Sequence, residues 1–192
     1  MDRRMTADAK MEKVATGVRG RGVWEHFTVL DGLPDMKVEC LAEDRDGMIW
    51  VGTHDGGAAR YDGEHFECFS TDDGLSCDSV YSITEGLDGT IWFGTSRGLT
   101  RYDGKTFEVI DGSQEYSFLW GACVDDDGVM WFGLDRRPGK PAGVIRCDGR
   151  TAELIEAGTS GFARGNSVKS IATSGRDVYL CADDLHLLND GV

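Results

Sequence analysis

Residues 46–57 read DGMIWVGTHDGG, and closely similar stretches begin at Asp88 (DGTIWFGTSRGL) and at Asp127 (DGVMWFGLDRRPG). Each copy combines an Asp-Gly pair, an apolar run that contains a tryptophan and a glycine, and a turn. A catalytic motif has no reason to occur three times in one chain, whereas a structural unit has. The stretch therefore belongs to an internal repeat, and the repeat decides the fold.

The same order of short apolar segments surrounds each copy. These segments have strand length and are rich in β-branched and aromatic residues. In the first unit they cover residues 38–43, 49–53, 58–61 and 65–69. Trp50, Trp92 and Trp131 recur at close to the ~40–45-residue period of a four-stranded propeller blade, and Tyr179 takes their slot in a weaker fourth copy. We predict an all-β fold, a β-propeller of four-stranded blades with about four blades present.

Asp-Gly pairs separate the first strand from the second, and the third from the fourth, in the three clear units. They begin at Asp46, Asp62, Asp88, Asp103, Asp127 and Asp148. Asp-Gly favours the left-handed backbone of tight hairpin turns. Much of the acidity behind the net charge of −14 therefore has a turn-forming role, and the charge is weak evidence for a cationic partner.

We predict a flexible tail of mixed charge over residues 1–21 and a propeller over residues 22–192. The repeat units cover residues 31–70, 73–110, 111–156 and 161–191. Segment 23–30 matches the fourth strand of a unit, and the last unit stops before its own fourth strand. The N-terminal strand can therefore complete the last blade, which removes exposed edges. A closed four-bladed ring, a half-ring that forms a homodimer, and part of a larger propeller with further blades all remain open.

Composition narrows the function classes. A net charge of −14 suits neither the phosphate backbone of nucleic acids nor anionic lipid, so we expect no nucleic-acid partner. No apolar run reaches ~18 residues, so we expect no membrane segment. The N-terminus lacks the apolar core of a signal peptide, which favours a cytoplasmic location for the chain as it stands. The cysteines have no zinc spacing and the acidic clusters form no complete calcium loop, so we expect no metal and no cofactor.

Three elements of the repeat carry a resemblance to a known family. They are Asp-Gly-Leu-Pro from Asp31, the Asp-Gly-x-Ile-Trp-Val/Phe-Gly-Thr strand, and Gly-Leu-x-Arg-Tyr-Asp-Gly from Gly98. This pattern resembles the two-component regulator propeller repeat over residues 23–192. The resemblance implies seven-bladed propellers in periplasmic sensor portions of hybrid histidine kinases, ligand sensing of glycans or their fragments, and no catalytic residues. This chain has fewer blades, and a periplasmic location follows only if it is a fragment of such a kinase.

One face of a propeller carries the turns between the second and third strands and the links between blades; we call it the loop face. Loops on a rigid scaffold are where function varies. On this face the third unit has a longer loop over residues 134–143, with Arg136, Arg137 and Lys140. Their charged groups suit carboxylates, sulfates or phosphates. Tyr116 and Trp120 can supply an apolar stacking surface.

The repeated tryptophans are expected in the core between blades, so the candidate ligand-binding residues are those that vary on the loop face. They are Asp35, His54, Asp55, Arg97, Tyr116, Trp120, Arg136, Arg137 and Lys140. We predict a non-catalytic module that binds or senses a small molecule, a glycan or another anionic ligand. One alternative is a propeller lyase or hydrolase centred near His54, because a histidine beside an acidic partner can act as an acid or a base. The other is a structural scaffold for protein interactions, or a fragment of one.

Overall fold

The computed structural model describes residues 25–135, 137–138, 142–156, 167–175, 177–182 and 185–188, the last of these as backbone. The predicted tail over residues 1–21 lies outside the described residues. Two predicted site residues, Arg136 and Lys140, lie outside them as well.

Four antiparallel sheets follow one another along the chain, each built from consecutive strands. The first sheet contains β1 (Val38–Glu43), β2 (Ile49–Thr53), β3 (Ala58–Tyr61) and β4 (Phe66–Phe69). The second contains β5 (Val80–Glu85), β6 (Ile91–Thr95), β7 (Gly98–Tyr102) and β8 (Phe107–Val109). The third contains β9 (Leu119–Val124), β10 (Met130–Leu134), β11 (Gly143–Cys147) and β12 (Ala152–Glu156). The fourth shows three strands in its described residues, β13 (Ser170–Ser174), β14 (Asp177–Cys181) and β15 (Leu185–Leu188).

The core lies between successive sheets, and the repeated tryptophans fill it. Trp50 is 1% exposed. Its ring centroid lies 5.7 Å from that of Phe69 in its own sheet and 5.6 Å from that of Phe93 in the second sheet. Trp92 belongs to the core shared with the third sheet, and Trp131 to the core shared with the fourth. The expectation that these three residues are core is therefore confirmed.

Close backbone approach explains the glycine that follows each Trp-Val or Trp-Phe pair. A methyl carbon at Gly94 would lie 2.9 Å from both the Cβ and the carbonyl oxygen of Leu119, the first residue of β9. Such distances leave no room for a side chain, so only glycine lets the neighbouring strand come this near. The first strands of successive sheets, β1, β5, β9 and β13, therefore pack side by side.

The Asp-Gly pairs form the expected turns between strands. Gly47, Gly89 and Gly128 have φ values of 79°, 88° and 83°, the left-handed region that glycine favours. In the third sheet Asp125 also supports the turn, because its carboxylate accepts hydrogen bonds from Val129 N at 2.9 Å and from Trp131 Nε1 at 2.9 Å. This turn is thereby joined to the core tryptophan of the third sheet.

The predicted strand over residues 23–30 is not found in its described part. Residues 25–28 lie in no strand, and Val29–Asp31 form a short 3-10 helix capped by Thr28. The ring of Phe27 lies 5.1 Å from that of Tyr61 and 5.4 Å from that of Phe66, so this segment packs on the first sheet. The described part of this segment therefore pairs with no strand of the last sheet, and completion of a blade by residues 23–30 stays a prediction.

Candidate functional site

The first strands of three sheets carry a register irregularity at the loop face. In β1, Val38 pairs with Thr53, and Cys40 pairs with Gly52, so Glu39 is left between two paired residues. The same shift leaves Tyr81 unpaired in β5, and Trp120 lies within the corresponding shift of β9. Bulges of this kind turn a side chain away from the regular alternation of a strand. Three different side chains therefore stand in one equivalent slot.

Aromatic rings connect these slots across the first three sheets. The Tyr81 ring lies 4.8 Å from Trp120, 5.4 Å from Phe118 and 6.1 Å from His54, measured between centroids. These spacings are in the range of direct ring contacts. His54 follows β2, so the aromatic surface reaches from the first sheet to the third.

Two features of this surface are unusual for a structure that serves packing alone. Phe118 has φ 58°, and it is the one described residue other than glycine with a positive φ. A bulky residue in this region costs free energy and is found most often at functional sites. The indole nitrogen Nε1 of Trp120 is buried without a hydrogen-bond partner among the described residues. A buried donor without an acceptor is costly, which makes Trp120 a candidate contact for a bound molecule.

A charged triad lies beside the rings. The Glu39 carboxylate, with its side chain 12% exposed, is 2.9 Å from both Lys37 Nζ and His54 Nδ1. Burial by itself would raise the pKa of Glu39, but the hydrogen bonds from Lys37 and His54 outweigh it and lower the pKa. Glu39 is therefore an ionised acceptor. Lys37 Nζ also lies 3.1 Å from His54 Nδ1, and the neutral ring can satisfy only one of these two contacts.

Arg137 closes the other end of the surface. Its guanidinium carbon lies 4.0 Å from the centre of the Phe118 ring, a cation–π contact. Its Nε lies 3.0 Å from a carboxylate oxygen of Asp135, so the charge is paired. The side chain is nevertheless 45% exposed and keeps further donors available to a ligand.

We call this set of seven residues the rim cluster. Its members are Lys37, Glu39, His54, Tyr81, Phe118, Trp120 and Arg137. Two further predicted residues stand at its edge, since Asp55 N donates to Asp35 Oδ2 at 3.3 Å next to His54. The predicted loop face thus brings together part of the expected set.

Arg97 and Tyr116 are not brought into the rim cluster. Arg97 lines a separate cavity of about 630 Å³ beside the second sheet, together with Gln114 and Glu115 of the segment that follows this sheet. Tyr116 packs against the core between the second and third sheets, and burial raises the pKa of its hydroxyl. Both residues therefore lie apart from the rim cluster, and their role in ligand binding stays a prediction.

Four members of the rim cluster were not predicted from the sequence, namely Lys37, Glu39, Tyr81 and Phe118. The sequence holds a signal for two of them. The second residue of the first strand is Glu39, Tyr81 or Trp120 in the three clear units, whereas the residue before it is apolar in all three. Divergence at a fixed slot within a repeat is therefore the pattern that marks this site.

Successive antiparallel sheets that pack face to face, each through the tryptophan of its second strand, define the chain as a β-propeller. Its repeat can also be assigned. Residues 32–55 match the family model described as two component regulator propeller. The recognition of this repeat in the sequence is confirmed.

Solved structures support the fold over most of the chain. One is the extracellular domain of a protein described as a hybrid two component system from B. thetaiotaomicron, with a TM-score of 0.71 and 18% identity. It covers 90% of this chain and 24% of that one. A second such domain from the same organism has a TM-score of 0.66 and 21% identity, and it covers 87% and 23%. The chain thus spans about a quarter of these domains.

Virginiamycin B lyase from Staphylococcus aureus is a further similar structure, with a TM-score of 0.65 and 15% identity over 91% of this chain and 62% of the lyase. At identities of 15–21%, these three structures show that the chain shares their fold. No curated protein matches the chain in sequence.

The described residues contain no helix that is long and apolar enough to cross a membrane. They also contain no group of three His, Cys, Asp or Glu side chains placed to hold a metal ion.

Proposed function

We propose that this chain is a non-catalytic ligand-binding module of a sensor propeller, that the rim cluster is its binding site, and that its ligand is a saccharide. The observation that carries the proposal is the group of ring contacts among Tyr81, Phe118 and Trp120, in which Tyr81 is 5% exposed and the indole N–H of Trp120 is buried with no partner among the described residues. Its rings come from variable positions of the repeat, whereas the rings that hold the blades together come from constant ones.

The chemistry of the cluster favours a polyhydroxylated ligand. Sugar rings present C–H faces that pack on aromatic rings, and their hydroxyl groups both donate and accept hydrogen bonds. Glu39 can accept such bonds, while Trp120 and Arg137 can donate them. The two cations of the cluster, Lys37 and Arg137, are each paired with a carboxylate. A neutral glycan therefore fits better than a strongly anionic ligand.

A sensing role is supported by the family of the repeat and by similar structures that are extracellular domains of two-component systems. We extend this to an extracellular or periplasmic location. All six cysteines are free thiols, which is more usual in a reducing compartment, so the location needs its own test. The exposed thiols of Cys68 and Cys181 should react with a membrane-impermeant maleimide in intact cells; protection until the cells are lysed would contradict this location.

The binding proposal is tested by calorimetric titration of the purified chain with neutral oligosaccharides and with matched uronic-acid oligosaccharides. We expect a neutral oligosaccharide to bind and Trp120→Ala to weaken its binding at least about tenfold, because stacking and a hydrogen bond are both lost. Arg137→Ala should also weaken binding.

Arg97→Ala is the matched control, since Arg97 is also exposed on the loop face but lies outside the rim cluster. It should bind as the wild type does. Equal affinity of the Trp120→Ala variant and the wild type, or the lack of any binding across the panel, would contradict the proposal.

A lyase or hydrolase centred near His54 is a second candidate function. The observation in its favour is the 2.9 Å contact between His54 and Glu39, in which the carboxylate can orient the ring for acid–base chemistry. This candidate requires turnover of a bound ligand that His54→Ala abolishes. A ligand recovered unchanged after prolonged incubation with the wild type would reject it.

A further inference from the structure

The outer face of the first sheet has the composition of a blade interface but lies exposed. Val38 is 42% exposed and Leu41 is 66% exposed. Their equivalents in the second sheet, Val80 and Ile83, are 0% and 7% exposed, because the first sheet covers them. The equivalence follows from the register, in which Leu41 pairs with Val51 as Ile83 pairs with Phe93. Equivalent apolar residues thus differ only in whether a neighbouring sheet is present.

One residue, Phe27, already covers the outer part of this face. Its contacts match those that the last residue of a fourth strand makes with the next blade. Phe69, the last residue of β4, lies 5.6 Å from the ring of Tyr102 and 5.3 Å from that of Phe107. Phe27 makes the equivalent contacts, at 5.1 Å and 5.4 Å, with Tyr61 and Phe66 of the first sheet. Phe27 therefore takes the place that the end of a fourth strand takes in the next interface.

The turn after each phenylalanine confirms the equivalence. Thr28 N donates to Asp31 Oδ2 at 2.8 Å, and Ser70 N donates to Asp73 Oδ2 at 2.8 Å. Phe27 and Phe69 thus make equivalent ring contacts and are followed by equivalent turns. The space beside Phe27, over Val38 and Leu41, is where the inner strands of a covering sheet belong.

The last sheet of the chain has the complementary form. It shows three strands, β13 to β15, in its described residues. Val178 and Leu180 pack against the third sheet around Trp131, so the intervening Tyr179 points to the opposite face. Tyr179 pairs with Ala172 as Trp50 pairs with Ala42, which places an aromatic residue in the slot that faces the next sheet elsewhere in the chain.

We propose that the outer face of the first sheet binds the last sheet of a second copy of this chain. The second copy supplies the three inner strands, and Phe27 of the first copy occupies the outer position. The exposure of Leu41 shows that the last sheet of the same copy does not fill this place. Front and back faces differ, so the contact is head to tail, and two such contacts close a ring of eight sheets from two copies.

The test is the mass of the purified 192-residue chain by light scattering over a range of micromolar concentrations. We expect twice the 21.0 kDa of one chain. Leu41→Asp should raise the dimer dissociation constant at least about a hundredfold, because a carboxylate would be buried in an apolar interface. Val38→Asp should act in the same direction.

Leu87→Asp is the matched control, because Leu87 is 58% exposed in the hairpin turn of the second sheet and should leave the dimer intact. Circular dichroism verifies that each variant is folded, which is expected for substitutions at exposed positions. A wild type that is monomeric throughout, an open chain of many copies, or a folded Leu41→Asp variant that remains dimeric would each overturn the proposal.

Discussion

The two ends of each blade follow different rules. At the hairpin-turn end, Asp44 and Asp125 make the same contacts, each accepting a hydrogen bond from the core tryptophan of its blade at 2.8 Å and 2.9 Å. At the loop end, one equivalent slot holds Glu39, Tyr81 or Trp120. Strands of five or six residues therefore separate a constant end that builds the scaffold from a variable end that presents side chains.

The second blade shows how strictly the constant end is kept. It has Gly86 where the first and third blades have Asp44 and Asp125, so the carboxylate acceptor is missing. The hydroxyl of Thr90 replaces it and accepts a hydrogen bond from Trp92 Nε1 at 2.9 Å. At the constant end, different residues thus accept the same hydrogen bond from the core tryptophan. At the variable end, different residues make different contacts.

The largest expected effect is a difference in stability between two tryptophan variants. One tryptophan lies in the constant core and the other at the variable loop end. Trp131 is 0% exposed, and Trp131→Ala should lower the free energy of unfolding by about 3–5 kcal/mol. Trp120→Ala should cost about 0.5–1.5 kcal/mol through its lost ring pair with Tyr81. Urea unfolding followed by circular dichroism measures both. If the two variants lose equal stability, Trp120 belongs to the scaffold and the comparison fails.

A smaller loss is expected at the glycine of the packing strand. Gly94→Ala places a methyl carbon 2.9 Å from the carbonyl oxygen of Leu119, so the second and third blades must separate. Overpacking of this kind costs about 1–3 kcal/mol. Thermal unfolding gives the value, and Ser96→Ala, two residues further along the same segment, provides a nearby control that removes atoms instead of adding them. An unchanged melting temperature for Gly94→Ala would show that the blades can shift apart freely.

The loss of stability at acid pH should depend on the carboxylates of the Asp-Gly turns. Hydrogen bonds from the backbone N–H groups of His65, Thr106 and Thr151 lower the pKa of Asp62, Asp103 and Asp148, respectively. The folded-state pKa lies below the ordinary value of about 3.9, so this stabilisation is complete above that pH and is lost as pH falls through the lowered pKa.

Replacing the three aspartates by asparagine tests this dependence. The variant should lose less stability than the wild type between about pH 5 and pH 3, because its turns no longer bind protons. The urea midpoint at each pH gives the comparison, and the effect should be small because the three carboxylates are exposed. Parallel curves for the two proteins would mean that these turns do not set the acid response.

The smallest effect on stability is expected at Phe118. Its φ of 58° is strained for a side chain, so Phe118→Gly relieves strain while it removes the ring contact with Tyr81. The two terms are each of order 1 kcal/mol and opposed, so the free energy of unfolding should change by less than about 1 kcal/mol. Ligand affinity should nevertheless fall. A large loss of stability would place Phe118 with the scaffold and sharpen the boundary between the two ends.

Much of the fold could be predicted because its determinants are local and repeated. The Trp period and the Asp-Gly pairs specify strands and turns within a few residues of themselves. Residues 25–30 show the limit, since they match the sequence of a fourth strand but lie in none. A strand requires a partner strand, and no local pattern shows whether that partner is present.

The candidate site was predictable as a face but not as a set of residues. His54, Trp120 and Arg137 were found because they break the repeat. Tyr81 was overlooked because it lies inside an apolar run that reads as a regular strand, and only the register shift turns its ring toward Trp120. Arg97 and Arg137 look alike in sequence, but the structure places Arg137 against the Phe118 ring and Arg97 at a separate cavity.

The register shift at the start of β1, β5 and β9 has a consequence for how such proteins diversify. In each of these three blades it takes one position out of the regular strand pairing, so the side chain there can differ between blades while the core tryptophans are kept. Duplication of a blade then adds one new contact together with its own support. In this architecture, ligand specificity can therefore be set by a few side chains that occupy one equivalent position in successive blades.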